Sequence, residues 1–160
     1  MAGITLGIVL FTVLTLLICG CLLLAAHNSG KQNKMVRHDL KKCRELFHRR
    51  REWLEADFIT AASKSGKPRG LAWRDCEFDD EVTFARDRSN GQLRALVATT
   101  ISFTAIEGGG MEEVEAVGNL RCATAVFHFV DNEWSTDGRV IFNLDPAETI
   151  NHFQHELELA

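Results

Sequence analysis

The chain has 160 residues and a formal net charge of −4, which is unevenly distributed along it. Residues 1–30 contain no Asp, Glu, Lys or Arg, residues 31–51 carry a net charge of +7, and residues 52–160 carry −11. Nucleic-acid binding requires a positive surface that neutralises phosphates. The acidic C-terminal part therefore argues against nucleic acid as a partner.

An unbroken apolar segment of 23 residues, Ile4–Ala26, lies close to the N-terminus. As a helix it would be roughly 35 Å long, enough to cross a hydrocarbon core of ~30 Å. The Met-Ala-Gly before it has no basic residue, the segment exceeds the apolar run of a signal peptide, and no small-x-small cleavage site follows. We expect residues 1–30 to be an uncleaved transmembrane anchor.

The basic residues after this segment predict orientation and lipid contact. Lys and Arg beside a span stay in the cytoplasm, and anionic headgroups attract each of them by ~1 kcal/mol. The sequence therefore predicts a single-pass membrane protein with its N-terminus outside and its domain in the cytoplasm. The juxtamembrane helix starts within residues 31–51, and the residues expected to contact the membrane surface are Lys31, Lys34, Arg37, Lys41 and Lys42.

Five scattered cysteines with no close-set motif indicate reduced thiols rather than a disulfide framework. Two of them, Cys76 and Cys122, fall in the strand-rich part of the chain. A bridge between these two is the alternative, and it would place the domain outside the cytoplasm.

Residues 35–63 show the apolar spacing of an amphipathic helix. Arg50 and Asp57 interrupt the apolar stripe, which favours packing on a sheet over a long coiled coil. The loop-forming residues 63–70 end the helix. The stripe consists of Val36, Leu40, Cys43, Phe47, Leu54, Phe58 and Ala61.

From residue 71 onward the apolar pattern has a period of two, which is typical of strands. Ser89-Asn90-Gly91 predicts a hairpin turn. Asp145, Pro146 and Glu148 predict an N-terminal capping box for a short helix that extends to about Leu157. The predicted strands are 71–78, 81–88, 92–106, 120–130 and 134–144.

These elements define the expected fold class as α+β. A transmembrane helix is followed by a long amphipathic helix packed on an antiparallel meander of four to six strands, and by a short C-terminal helix. We expect one globular domain over residues 35–160. The plan resembles cystatin-like and nuclear-transport-factor-like cones, a likeness that implies no function.

Glu148, His152 and His155 have the i, i+4, i+7 spacing of metal ligands on one helix face. That face lies opposite the apolar edge of the helix and would point to solvent, where no further side chains would orient the ligands. We therefore expect no metal and no cofactor.

A triple glycine, Gly108-Gly109-Gly110, interrupts the strands. No Lys-Ser or Lys-Thr follows it, and the acidic residues that do follow would repel phosphate. The sequence predicts a hairpin loop here rather than a phosphate-binding loop.

The candidate residues for acid–base catalysis are Glu77, Asp79, Asp80, Glu107 and His128. Charged loop ends are usually solvated, and the sequence contains neither G-x-S-x-G nor H-E-x-x-H. An enzyme would require at least two of these side chains to converge in one concave, partly buried site. The catalytic residues stay unassigned.

Gly3-Ile4-Thr5-Leu6, together with the order of elements, resembles type IV pilins and pseudopilins. The resemblance implies cleavage after Gly3 and an assembly subunit with its domain outside the cytoplasm. Ile8 stands where that family has an acidic residue. The leading hypothesis is therefore a non-enzymatic, membrane-anchored domain that binds a partner or a small ligand, with the pilin-like subunit and the enzyme as alternatives.

Overall fold

The computed structural model describes residues 39–64 and 70–160. The chain is α+β, with two helices and a six-stranded antiparallel sheet in these ranges. Residues 39–64 form the first helix, α1, and the second, α2, spans Pro146–His152. The predicted anchor Ile4–Ala26 lies outside the described residues, and so do Lys31, Lys34 and Arg37. Neither described helix is both long and apolar enough to cross a membrane.

The sheet has the strand order β4-β3-β2-β1-β6, and β5 also pairs with β3. The first four strands form the predicted meander, whereas β6 returns to the far edge beside β1. The strands are β1 (Leu71–Asp87), β2 (Leu93–Ala105), β3 (Arg121–Val130), β4 (Glu133–Ser135), β5 (Val140–Phe142) and β6 (Leu157–Leu159).

Tight turns connect β1 to β2 and β3 to β4. Between β1 and β2, the Asp87 carboxylate accepts hydrogen bonds from the Ser89 backbone N–H at 2.9 Å and from its hydroxyl at 2.6 Å. Gly91 in this turn has φ +72°, whereas Asn90 does not have positive φ, so the predicted hairpin turn is present but is not of type I′. Between β3 and β4, Asp131 and Asn132 both have positive φ, which is the type I′ geometry that matches the strand twist.

The two strands predicted at 71–78 and 81–88 are one continuous strand, β1, with two bulges. The register shifts lie between Trp73 and Asp75 and between Phe78 and Val82. Arg51 of α1 donates to the carbonyl oxygens of Asp79 and Asp80 in the second bulge. The helix thereby supplies donors to backbone groups that the bulge takes out of the ladder.

The strand predicted at 134–144 is two short strands, β4 and β5, both paired with β3. The break falls at the predicted position, Gly138, which has φ +76°. A Cβ atom at Gly138 would lie 2.7 Å from the Cα of Ala62 in α1. Glycine here therefore allows the helix to pack directly on the backbone of the β4–β5 connection.

One face of the sheet packs against α1 through aromatic side chains. The Phe47 ring lies 5.3 Å from Phe127 and 5.1 Å from Trp134 between ring centroids. The Trp134 indole N–H donates to the Cys43 carbonyl at 2.8 Å. Packing of α1 against the sheet agrees with the sequence expectation. The fully or almost fully buried residues of α1 are Phe47, Leu54, Phe58 and Ala62.

The opposite face of the sheet is covered by α2. Leu96 and Val126 are buried there, with Ile150 of α2 packed against them. The predicted capping box is present: Asp145 accepts from the Glu148 N–H at 2.7 Å, and Glu148 accepts from the Asp145 N–H at 3.0 Å.

The predicted extension of α2 to Leu157 is wrong, because the helix ends at His152. Residues Leu157–Leu159 form β6, which pairs with Ala85–Asp87 at the end of β1. Leu157 is buried as expected, but in a strand, because the β1 edge offers backbone partners that a helix could not use. In the described part of the chain, β6 covers this edge of β1 at residues 85–87.

Candidate binding cleft

A cleft of about 280 Å³ opens at one end of the sheet. Its walls come from the ends of four strands, β1, β2, β3 and β5, and from the connection between β2 and β3, residues 106–120. The volume is close to the lower limit of small-molecule sites, about 300 Å³. The lining residues are Leu71, Phe103, Met111, Val114, Ala116, Val117, Arg121, Phe142 and Asn143.

The floor of the cleft continues the aromatic core. Trp73 contacts Phe58 of α1 at 6.5 Å and Phe103 of β2 at 5.5 Å between ring centroids. Phe103 in turn lies 6.4 Å from Phe142 of β5. Strand pleating puts alternate residues on one face, so Leu71, two positions before Trp73, shares this face. The floor is therefore continuous with the aromatic core between α1 and the sheet.

The wall of the cleft is built by residues three apart in the β2–β3 connection. The Val114 N–H donates to the Met111 carbonyl at 3.2 Å, and the Val117 N–H to the Val114 carbonyl at 3.0 Å. Side chains at this spacing align in a 3-10 geometry, which the short helix Glu115–Gly118 continues. No motif of the sequence predicted this site, but the M-x-x-V-x-x-V spacing of residues 111–117 is a signal that indicates its wall.

Large apolar side chains around the mouth of the cleft are exposed to solvent. The lining residues Val114 and Phe142 are each exposed by about two fifths. Leu120, which precedes the lining residue Arg121 in the chain, is 71 % exposed. Contiguous exposed apolar surface on a small domain marks an interaction site more often than single exposed residues do. The cleft and its mouth therefore form one apolar surface.

The charged groups near the cleft differ in sign and in position. Arg121 lines the cleft and donates to the Ala116 carbonyl at 3.3 Å. The connection also carries Glu112, whose pKa is lowered by its own backbone N–H and by those of Gly108, Met111 and Gly110, against a smaller effect of desolvation. Glu112 is thus bound to its own loop, while Arg121 is a cation among the lining residues.

Two of the five acid–base candidates share a second cleft of about 330 Å³. Glu77 and Asp79 line it, together with Cys122 and the N-cap residue Asp145. All four side chains are exposed. The two carboxylates therefore share a concave surface, but this surface is not buried.

The other acid–base candidates lie elsewhere. The Asp80 carbonyl binds Arg51. Glu107 is exposed in the β2–β3 connection. His128 faces Asp137 at 3.5 Å and pairs across the strands with Arg94.

The three metal-ligand candidates are separated by the end of α2. Glu148 is engaged in the capping box, and the His152 ring packs on Phe153 at 4.8 Å between centroids. His155 lies three residues beyond the helix and lines another cleft with Asp87. Within residues 39–64 and 70–160, no group of three or more His, Cys, Asp or Glu side chains could hold a metal ion.

Cys76 and Cys122 are free thiols. Cys76 pairs with Ile101, and Cys122 pairs with the adjacent Thr100. Neighbouring residues of a strand point to opposite faces, so the Cys76 and Cys122 side chains lie on opposite sides of the sheet. Desolvation raises the pKa of Cys76, opposed by its hydrogen bond with Thr99.

The chain matches no protein-family model, and comparisons with curated proteins and with solved structures give no significant match. The class defined by the fold and the site is therefore an α+β domain with an apolar cleft and a single lining cation, Arg121, in the described part of the chain.

Proposed function

We propose that the protein is a membrane-anchored, non-catalytic module whose α+β domain binds a small apolar ligand, or an apolar side chain of a partner, in the cleft. The observation that carries this proposal is the apolar cleft with its exposed apolar mouth. Phe103 and Met111 provide apolar surface, and Arg121 provides a site for an anionic end. An aromatic or aliphatic carboxylate has the complementary chemistry.

The size of the cleft limits the affinity that the cleft alone can provide. A ligand that buries roughly 200 Å² of apolar surface gains about 5 kcal/mol. This gain corresponds to a dissociation constant of about 0.2 mM before the costs of association are subtracted. The proposal therefore favours a weakly bound metabolite, or a partner protein that makes further contacts outside the cleft.

Photolabelling with 4-benzoylbenzoate, an apolar aromatic carboxylate, tests the cleft directly. The full chain is reconstituted in vesicles, irradiated with the probe and digested, and the labelled peptides are identified by mass spectrometry. We expect saturable labelling within residues 103–121, because Phe103, Met111 and Arg121 line the cleft.

A matched pair of variants provides the control. Val114 lies in the cleft and is 41 % exposed, whereas Val130 lies at the end of β3 and is 40 % exposed. Val114→Glu should abolish the saturable labelling, and Val130→Glu should leave it unchanged. Labelling spread over the whole surface, or lost equally in both variants, would reject the cleft as the site.

The anchor and its orientation are proposed on the sequence pattern. The apolar segment Ile4–Ala26 supports the anchor, and the basic residues after it support the orientation. A topology reporter fused after Ala160 should be active on the cytoplasmic side. An extracytoplasmic signal would contradict the orientation.

The pilin-like alternative makes a separate prediction. That alternative requires cleavage after Gly3, whereas an uncleaved anchor keeps the first residues. Sequencing the N-terminus of the mature protein distinguishes the two.

Acid–base catalysis is a second candidate function, favoured by one observation. Glu77 and Asp79 share the second cleft with Cys122. Catalytic carboxylates generally work in desolvated or charge-coupled sites, and these two are exposed. A panel of fluorogenic esters and glycosides should show no turnover that depends on Glu77 and Asp79. Turnover that is lost in Glu77→Gln/Asp79→Asn would favour the enzyme instead.

A further inference from the structure

Trp53 is exposed on the outer side of α1. Its side chain is 74 % exposed, whereas Phe47 and Leu54, six residues before and one after it, are buried. At 100° per residue, Trp53 lies about 120° around the helix from the buried stripe. The core therefore does not account for this large apolar side chain.

A second stripe runs along α1 through Trp53. Leu46, Arg49, Arg50 and Trp53 occupy positions i, i+3, i+4 and i+7, which lie on one side of a helix. We call these four residues the outer α1 face. Leu46 is half-buried, and the other three are exposed. Arg49 and Arg50 form no ion pair with the described residues.

The charge of this face is opposite to that of the rest of the domain. Continued along α1 at 100° per residue, the stripe also includes Asp39 and Asp57 and two lysines, Lys42 and Lys64. With Arg49 and Arg50, this side of the helix carries a net charge of +2. Residues 52–160 carry a net charge of −11 and would be repelled by an anionic membrane. If the domain meets such a surface, the outer α1 face is the one suited to it.

We propose that the outer α1 face docks on an anionic lipid surface, with Trp53 in the interfacial layer and Arg49 and Arg50 on the headgroups. Trp prefers the boundary between headgroups and acyl chains, and Arg binds phosphate groups through its planar guanidinium. A basic helix face with a central aromatic residue is typical of interfacial helices. This inference rests on the membrane anchoring in the proposed function.

The length of the intervening chain permits this docking. Twelve residues, 27–38, separate Ala26 from Asp39, the first described residue of α1, and a fully extended chain of that length reaches about 40 Å. A second copy of the chain is a poorer occupant, because two such faces would bring four arginines together. A protein partner commonly needs about 800 Å² on each side, more than one helix face offers.

Trp fluorescence of the full chain in vesicles tests the docking. The vesicles contain phosphatidylcholine, with or without an equal amount of phosphatidylglycerol, and quenching is measured with brominated acyl chains and with aqueous acrylamide. Subtracting the emission of the Trp53→Phe variant from that of the unmodified chain removes the contribution of Trp73 and Trp134. With phosphatidylglycerol present, Trp53 should be quenched by bromine roughly twofold more and by acrylamide roughly twofold less than in phosphatidylcholine alone.

Charge-matched variants identify the residues responsible. Arg49→Gln/Arg50→Gln should give phosphatidylcholine-like quenching even in anionic vesicles. Arg74→Gln/Arg139→Gln removes the same charge from two exposed positions outside α1, one in β1 and one just before β5, and should behave as the unmodified chain. Equal quenching of Trp53 in both lipids would overturn the proposal. Protection of Trp53 from acrylamide in both lipids, together with crosslinking of two copies through this face, would also overturn it.

Flotation of the same vesicles in high salt separates this inference from the anchor on which it rests. A chain that fails to float disproves the anchor. A chain that floats, but whose Trp53 stays accessible to acrylamide in anionic vesicles, disproves the docking alone.

Discussion

Gly70 and Gly109 pack backbone to backbone, so that a Cβ atom added to Gly109 would lie 2.5 Å from the Cα of Gly70. The contact joins the start of β1 to the connection that forms the cleft wall. The Ile106 N–H donates to the Gly70 carbonyl at 2.8 Å, and the Gly109 N–H to the Ile106 carbonyl at 2.9 Å. The triple glycine predicted as a hairpin loop thus serves a close backbone contact.

Gly109→Ala should destabilise the domain by about 1–3 kcal/mol, because the added methyl group must displace backbone. Gly109 does not have positive φ, so the penalty is steric. Gly118→Ala in the same connection is the control, since nothing lies within 4 Å of its added Cβ. Denaturant unfolding of the full chain in detergent measures both variants, and equal stability of the two would refute the contact.

Arg51→Gln should loosen the second bulge of β1. The guanidinium donates to the carbonyls of Asp79 and Asp80 and forms an ion pair with Glu55 at 2.6 Å. Loss of these partners should cost about 1–3 kcal/mol, whereas Arg50→Gln on the exposed side should cost less than about 0.5 kcal/mol.

Hydrogen exchange locates the effect of Arg51. Amides near the bulge, at residues 78–83, should exchange faster in Arg51→Gln, while those of β3 should not change. A uniform loss of protection over the sheet would mean that Arg51 stabilises the domain as a whole rather than the bulge.

The stability of the domain should fall in acid because of Asp87. Hydrogen bonds from the Ser89 hydroxyl and backbone N–H lower the pKa of Asp87 to about 2, and the Arg94 charge adds to this against desolvation. The folded pKa lies below the ordinary value of 3.8. The contribution of Asp87 is therefore complete above that value and is lost as the pH falls through about 2.

Thermal unfolding between pH 5 and pH 2 checks this linkage. Asp87→Asn should show a smaller decrease of the melting temperature over this range than the unmodified chain, because it has no carboxylate to protonate. Asp131→Asn, in the exposed β3–β4 turn, should reproduce the unmodified profile. Parallel profiles for all three proteins would show that Asp87 does not set the acid limit.

Alkylation should distinguish the two strand cysteines. Cys122 is exposed, whereas Cys76 is half-buried and has a raised pKa because of desolvation. Since the thiolate is the reactive form, iodoacetamide at pH 8 should modify Cys122 first. Peptide mass spectrometry of the folded chain follows both sites, and unfolding in urea should abolish the difference. A recovered Cys76–Cys122 disulfide would contradict the arrangement of the sheet.

Local patterns predicted the elements that depend on local contacts. The α1 stripe through Phe47, Leu54 and Phe58 follows from helix geometry alone, and the Asp145–Glu148 capping box is complete within four residues. The break near Gly138 also follows from a local glycine signal. Each of these features is decided by residues close together in the sequence.

The features that the sequence did not reveal depend on distant residues. Continuity of β1 through its bulge is supported by Arg51, which lies 28 residues before Asp79. Leu157 has helical spacing from Phe153, but pairing of Leu157–Leu159 with the end of β1 makes it a strand. The cleft combines Leu71, Phe103, Arg121 and Phe142 from four strands, which no single periodicity connects.

The two bulges of β1 have a consequence for the behaviour of the protein at high concentration. An open strand edge is a template for pairing with another chain, and an interrupted edge is a poor one. β6 covers residues 85–87 of β1, and the register shifts near Arg74 and Asp80 interrupt the remaining edge. Deleting the extra residues of the bulges would straighten this edge and let it pair with the β1 edge of another copy.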